Sequence, residues 1–193
     1  MTSPRLIGLY SPAPRSGKST VAAYLTEHGF YTVPFARPIK LMVRTFLIQL
    51  GYGPSEIDHF LEAGKNDVIE GIRTTPRQLM QLLGTEWGRQ CVHPQVWLMC
   101  WERATQQKLE AGIPVVVDDC RFPNEAALIR RLGGELWRIE RPGNERQTDH
   151  ASEGGLDEYP LFDRRLVNDG SLGSLLALHS RVREIVTPLS LAS

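Results

Sequence analysis

Arg5-Leu-Ile-Gly-Leu-Tyr-Ser-Pro-Ala-Pro-Arg-Ser-Gly-Lys-Ser-Thr20 decides how the rest of the chain is read. An apolar run of strand length passes into a short loop, the loop ends in Gly17-Lys18-Ser19-Thr20, and a helical pattern follows. Strand, glycine-bearing loop and helix in that order are the layout of a phosphate-binding loop. Backbone N–H groups and the helix N-terminus suit a polyphosphate, the Lys18 ammonium reaches outer phosphates, and the Ser19 hydroxyl suits a Mg²⁺ shell. Pro12 stands where the pattern wants its first glycine, and Pro14 follows. Each proline removes an N–H donor. Ala13, Arg15, Ser16, Gly17, Lys18, Ser19 and Thr20 keep theirs, so these seven are the expected triphosphate contacts.

Outward from the loop, short apolar runs alternate with amphipathic stretches. Strands are expected at Leu6–Tyr10, Phe30–Phe35, Pro114–Asp118, Glu135–Arg141 and Arg165–Val167. Helices are expected at Lys18–His28, from Ile39 to Leu50, over Ser55–Gly64 with Ser55 as cap, from Thr75-Pro76 onward, and over Gln95–Ala111, Asn124–Leu132 and Ser171–Val186. Thr75 followed by Pro76 is a helix-cap signal. Val115-Val116-Val117 suits a strand covered on both faces. The alternation predicts an α/β fold with a mostly parallel sheet flanked by helices. Lys65–Thr74 reads as a polar loop, and Pro142–Pro160, rich in glycine and charge, as a flap. The expected organisation is a single domain over 1–193, a helical region over 36–112 and a lid over 142–160.

At 193 residues the chain has the length of one domain. Its 22 basic and 22 acidic residues leave no net charge, which argues against a general nucleic-acid partner. No apolar run reaches the length of a membrane span, and the N-terminal one is of strand length rather than a signal peptide. Cys91, Cys100 and Cys120 match no zinc or redox spacing, so reduced thiols in a cytoplasmic protein are expected.

In an open parallel sheet, ligands bind at the carboxyl ends of the strands. Asp118-Asp119-Cys120-Arg121 follows the triple-valine strand. A carboxylate there can hold Mg²⁺ through water, and Arg121 can meet a phosphate. Asp119 is the favoured metal residue, with Asp118 kept as the alternative. Arg141 and Arg146 flank Pro142-Gly143, where a closing loop would bring positive charge and exclude water. Arg73, Arg77 and Arg89 surround the helix capped by Thr75, and Arg77 lies in its first turn, where an anionic ligand would offset the helix dipole. Trp87 and Trp97 suit core packing or base stacking. Ser152 and Glu153, beside His150, read as flap anchors or substrate contacts and not as catalytic bases, because a phosphate acceptor is already anionic.

These pieces together resemble the bacteriophage-type deoxynucleoside monophosphate kinases. The matching segments are Arg15–Thr20, Phe35–Lys40, Thr75–Arg89, Asp119–Glu125, His150–Glu153 and Asn168–Gly170, in order over nearly the whole length. The Thr75–Arg89 and Asp119–Glu125 blocks are the most specific. The resemblance implies a three-layer P-loop kinase fold and transfer of the ATP γ-phosphoryl group to a deoxynucleoside 5′-monophosphate, with Mg²⁺. It implies that Lys18, Ser19 and Thr20 hold ATP and metal, and that Arg15 touches the travelling phosphoryl group. It further implies that Lys40, Arg77, Gln81, Arg89 and Trp97 serve the acceptor, and that Asp119 and Arg121 lie between the two nucleotides. A homodimer, and a host-cell cytoplasmic location if phage-encoded, follow from the same likeness.

Pro12 departs from the family pattern, as does Arg37, where an acidic residue is expected before Pro38. Two other readings compete. The animal-type phosphomevalonate kinases resemble the chain at Arg15–Lys18 and Ser152–Asp157. A nucleotide-binding sensor without turnover would share the loop alone, although the Asn-Lys-x-Asp base-reading motif of a GTPase switch is absent from the sequence.

Overall fold

The computed structural model describes residues 3–13, 16–143 and 155–186. Its elements run β1 (Leu6–Tyr10), α1 (Lys18–Glu27), β2 (Tyr31–Thr32), α2 (Arg37–Gln49), α3 (Pro54–Leu61), α4 (Pro76–Gln81), α5 (Val96–Glu110), β3 (Val115–Val117), α6 (Pro123–Arg131), β4 (Glu135–Glu140), β5 (Arg164–Val167) and α7 (Leu172–Val186). A π-helix over Leu82–Val92 continues α4. The five strands form one sheet in the order β2-β3-β1-β4-β5, and every pairing is parallel. The chain winds to one side of β1 through β2 and β3, then to the other through β4 and β5. This reversal puts the topological switch point at the C-terminal end of β1, where the expected phosphate loop begins.

Strand alternation decides what covers each face. Ile7, Leu9, Val116, Trp137, Ile139 and Leu166 turn to α1 and α7, where Val21, Leu25, Leu178 and Val182 complete a buried cluster. Burying a side chain of this size contributes about 1.5–3 kcal/mol. Leu6, Gly8 and Leu136 face α6. A Cβ at Gly8 would stand 2.5 Å from Ile129 Cδ1, so glycine lets α6 settle directly on β1. α1 ends at Gly29, whose φ of +90° allows the Phe30 N–H to return to the Leu25 carbonyl at 3.0 Å.

The chain divides into two compact units, one of residues 1–34 and 102–193, the other Phe35–Trp101. The second unit has its own core of Val43, Leu47, Ile57, Leu61 and Ile69.

Several element boundaries differ from expectation. β2 is two residues long rather than six, since Val33 gives its N–H to the Val116 carbonyl and Pro34 then ends the pairing. α3 begins at Pro54, not Ser55. Proline suits the first helical position, and the Glu56 side chain accepts from the Gly53 N–H at 2.9 Å. Within Lys65–Thr74, Ile69 and Thr74 form an isolated antiparallel bridge. Most of the expected lid, residues 144–154, lies outside the described residues.

Candidate active site

The loop after β1 turns into α1 through Gly17, whose φ is +98°. Only glycine adopts that conformation without steric cost. Ser16 beside it is buried, and Lys18 opens the helix. Burial pulls the Lys18 ammonium below its ordinary pKa. Arg121 adds to the lowering, while Asp119, Asp118 and Cys120 oppose it. Lys18 therefore shares one electrostatic neighbourhood with the segment after β3, as the parallel pairing of β1 with β3 requires. An anion bound there would restore the ammonium's preference for charge.

The segment after β3 is pinned from below. Glu125, buried in the first turn of α6, accepts the N–H of Arg121 at 2.7 Å and of Phe122 at 3.1 Å. Arg121 itself is solvent-exposed. Cys120 is fully buried, and that burial, with Glu125 and Asp119 nearby, raises its pKa well above the usual thiol value and keeps it a neutral thiol. Cys91 and Cys100 are exposed and free, so the three cysteines form no pair.

Asp118 Oδ1 is buried without a hydrogen-bond partner. An orphaned carboxylate oxygen is costly unless a ligand completes it. Asp119 next to it and the exposed Ser19 hydroxyl are, like it, hard oxygen donors of the kind Mg²⁺ takes. No group of three or more His, Cys, Asp or Glu side chains that could hold a metal forms among the described residues. A Mg²⁺ ion there would take its remaining ligands from phosphate and water, as Mg²⁺ bound with nucleotides usually does.

The other expected triphosphate groups fall out differently. The Ala13 N–H meets Ser11 Oγ at 3.3 Å, so it is already engaged within the loop. Thr20 is half-buried in the first turn of α1. Arg141 follows β4, and its guanidinium lies against Gly170, whose φ is +88°. Arg15, Arg146, Ser152 and Glu153 lie outside the described residues.

The expected acceptor residues belong to the second unit. Thr75 caps α4 as its sequence indicated: Oγ1 accepts the Gln78 N–H at 3.2 Å, and Gln78 Oε1 accepts the Thr75 N–H at 3.0 Å. Arg77 is exposed in the first turn and donates from Nε to Asn66 Oδ1 at 2.8 Å. Gln81 is exposed at the end of α4, and Arg89 is half-buried in the π-helix. Arg73 has a φ of +51°, the sole non-glycine residue in the left-handed region among those described. A bulky side chain held there marks a site where surrounding structure imposes the conformation. Lys40 donates to Glu62 at 3.1 Å.

Trp97 is 5% exposed and gives its indole N–H to the Gly84 carbonyl at 2.8 Å. It serves as the packing post of the π-helix rather than as an open platform. A Cβ at Gly88 would collide with its ring. Trp87, 6.2 Å from it between ring centroids, is 46% exposed and is the accessible aromatic of the two.

Sequence reading missed two residues of the donor side. Glu125 was legible as the third residue of a helix beginning at Pro123, the position of a carboxylate that reaches back to loop amides. Asn168 follows β5 and lies in a segment matched to the family without a role of its own; its side chain contacts the phosphate loop.

A five-stranded parallel sheet in this order, with a glycine-turned loop, a lysine and paired carboxylates at its C-terminal edge, defines an α/β phosphate-binding protein of the nucleotide-kinase type. The chain belongs to the deoxynucleotide monophosphate kinase family, whose model matches residues 51–178. It is 31% identical over 178 residues to a protein of Acanthamoeba polyphaga mimivirus assigned as a deoxynucleotide monophosphate kinase, with 86% of this chain and 90% of that one aligned. It is 33% identical over 103 residues to the deoxynucleoside-5′-monophosphate kinase of Escherichia phage T5, an alignment that spans half of this chain and 40% of the phage protein. In fold it resembles the crystal structure of TT1252 from Thermus thermophilus, with a TM-score of 0.52 and 21% identity over 96% of this chain and all of that one.

Proposed function

We propose that the protein transfers the γ-phosphoryl group of ATP to a deoxynucleoside 5′-monophosphate. The bond from the bridging oxygen to the γ-phosphorus breaks, a bond from an acceptor phosphate oxygen to that phosphorus forms, and ADP and a deoxynucleoside diphosphate leave. The acceptor oxygen is already anionic, so the step needs no general base. The observation that carries this reading is the shared neighbourhood of Lys18, Asp118, Asp119 and Arg121 beside the left-handed Gly17.

In this reading Ser16, Gly17, Lys18, Ser19 and Thr20 receive the triphosphate, with Arg15, Arg141 and Arg146 as further phosphate contacts. Ala13 would join them once its N–H leaves Ser11. Mg²⁺ at Ser19, Asp119 and Asp118 would supply neutralising charge on the phosphates. Lys18 and Arg121 provide fixed positive charge for the phosphoryl oxygens, the largest contribution a protein makes to this chemistry. The desolvated setting of Lys18 strengthens each of those interactions. The acceptor is assigned to Lys40, Arg73, Arg77, Gln81, Arg89 and, through its support of the π-helix, Trp97, with Ser152 and Glu153 from the lid. A helical acceptor region over 36–112, a lid over 142–160, a homodimer and a cytoplasmic location remain parts of the same proposal. No helix among the described residues is long and apolar enough to cross a membrane.

Coupled ADP release tests the reading, with Mg-ATP and each of the four common deoxynucleoside monophosphates, and with phosphomevalonate and no acceptor as parallel arms. Release that depends on a deoxynucleotide supports it. Release with phosphomevalonate alone, or ATP binding without acceptor-dependent release, would replace it with one of the competing readings.

A further inference from the structure

Asn168 stands at the end of β5, 152 positions from the phosphate loop in sequence, and is buried. Its Nδ2 donates to the Ser16 carbonyl at 3.0 Å. Its Oδ1 accepts the Gly170 N–H at 3.0 Å, and its own N–H reaches the Glu140 carbonyl at 2.8 Å. The amide orientation follows from these partners: a backbone N–H can only donate and a carbonyl can only accept, so Oδ1 must face Gly170 and Nδ2 must face Ser16.

The contact acts on one peptide plane. In a planar trans peptide the carbonyl of one residue and the N–H of the next point in opposite directions. Holding the Ser16 carbonyl towards Asn168 therefore aims the Gly17 N–H to the other side of the loop. Asn168 fills the near side, so closely that a Cβ on Gly17 would stand 2.7 Å from Nδ2. The left-handed glycine and the asparagine are a matched pair: one leaves the space, the other occupies it and blocks a flip of the peptide.

We infer that Asn168 is a positioning residue for the phosphate loop, holding the Ser16–Gly17 peptide in the orientation that presents the Gly17 N–H to the donor nucleotide's phosphates. This inference rests on the assignment of ATP to the loop. It concerns preorganisation, so loss of the contact lowers affinity for ATP while affinity for the monophosphate stays.

Calorimetric titration of the full chain with Mg-ATP and separately with deoxynucleoside monophosphate tests it, in wild type, Asn168→Ala and Asn168→Asp. The alanine offers no donor and the aspartate only acceptors to the Ser16 carbonyl, so both variants should bind ATP roughly tenfold more weakly, with affinity for the monophosphate unchanged.

Wild type that fails to bind ATP would refute the assignment of the loop and, with it, this inference. Wild type that binds, with Asn168→Ala within twofold of it, overturns the inference. So does a loss of monophosphate affinity in Asn168→Ala as large as its loss of ATP affinity. If Asn168→Asp does not fold, the Asn168→Ala arm decides alone.

Discussion

Glu125 holds Arg121 by its backbone: the buried carboxylate accepts the Arg121 N–H at 2.7 Å and leaves the guanidinium exposed above the C-terminal edge of the sheet. The same carboxylate takes the Phe122 N–H at 3.1 Å and so fixes the whole turn that follows Asp118 and Asp119. Removing it strands two donors. Glu125→Ala should destabilise the fold by about 2–4 kcal/mol, and Glu125→Gln, which keeps an acceptor, by about half of that. Urea unfolding checks both values. A Glu125→Ala protein within 0.5 kcal/mol of wild type, about the scatter of neutral surface changes, would deny the carboxylate this part.

Lys18 is placed for ligand binding at a cost to folding. Its pKa is lowered in the folded state, chiefly by burial. Between that lowered value and the ordinary lysine value of about 10.5, the unfolded chain binds the extra proton, so stability rises with pH through this window. Lys18→Met should therefore be more stable than wild type at pH 7, and the difference should shrink as pH approaches 10.5. Thermal unfolding of the two proteins at several pH values measures it, and the comparison cancels groups common to both. A variant less stable than wild type at neutral pH would contradict the assignment.

The orphaned Asp118 Oδ1 makes a third case. Asp118→Asn keeps the shape and removes the charge, so the Mg²⁺ concentration for half-maximal activity should rise and kcat should fall by about 10²-fold. A magnesium titration at saturating ATP reads both. If Asp119→Asn moves the titration and Asp118→Asn does not, the metal contact belongs to Asp119.

Arg73 separates backbone strain from side-chain chemistry. Its φ of +51° costs about 1 kcal/mol, which glycine would recover. Arg73→Gly should be as stable as wild type or slightly more so, yet have a raised KM for the monophosphate. Arg73→Ala should show the raised KM without the gain in stability. Equal KM values in all three proteins would remove Arg73 from the acceptor site.

The strand and helix order was legible in sequence because each element carries its own period and its own stop. Gly29 ended α1, Gly133 ended α6, and the valine triplet marked a strand buried on both faces. The phosphate loop was legible through Gly17 and Lys18. The π-helix was not. Gly84 and Gly88 fit any helical spacing, and only the Trp97 ring packed against Gly88 and the Ile39 side chain packed against Gly84 show why they lack side chains. Nor could sequence bring Asn168 to Ser16, since β5 reaches the loop only through the parallel ladder with β4. Glu125 lay in between. The cap pattern was visible, but the burial that makes its carboxylate a support for Arg121 was not.

Transfer of label from γ-labelled ATP tests the central claim most directly, with wild type and Lys18→Ala given Mg²⁺ and a mixture of deoxynucleoside monophosphates. The account predicts label in a deoxynucleoside diphosphate with wild type and none above background with Lys18→Ala. Label appearing only in inorganic phosphate, or in the diphosphate at equal rates with both proteins, would contradict it.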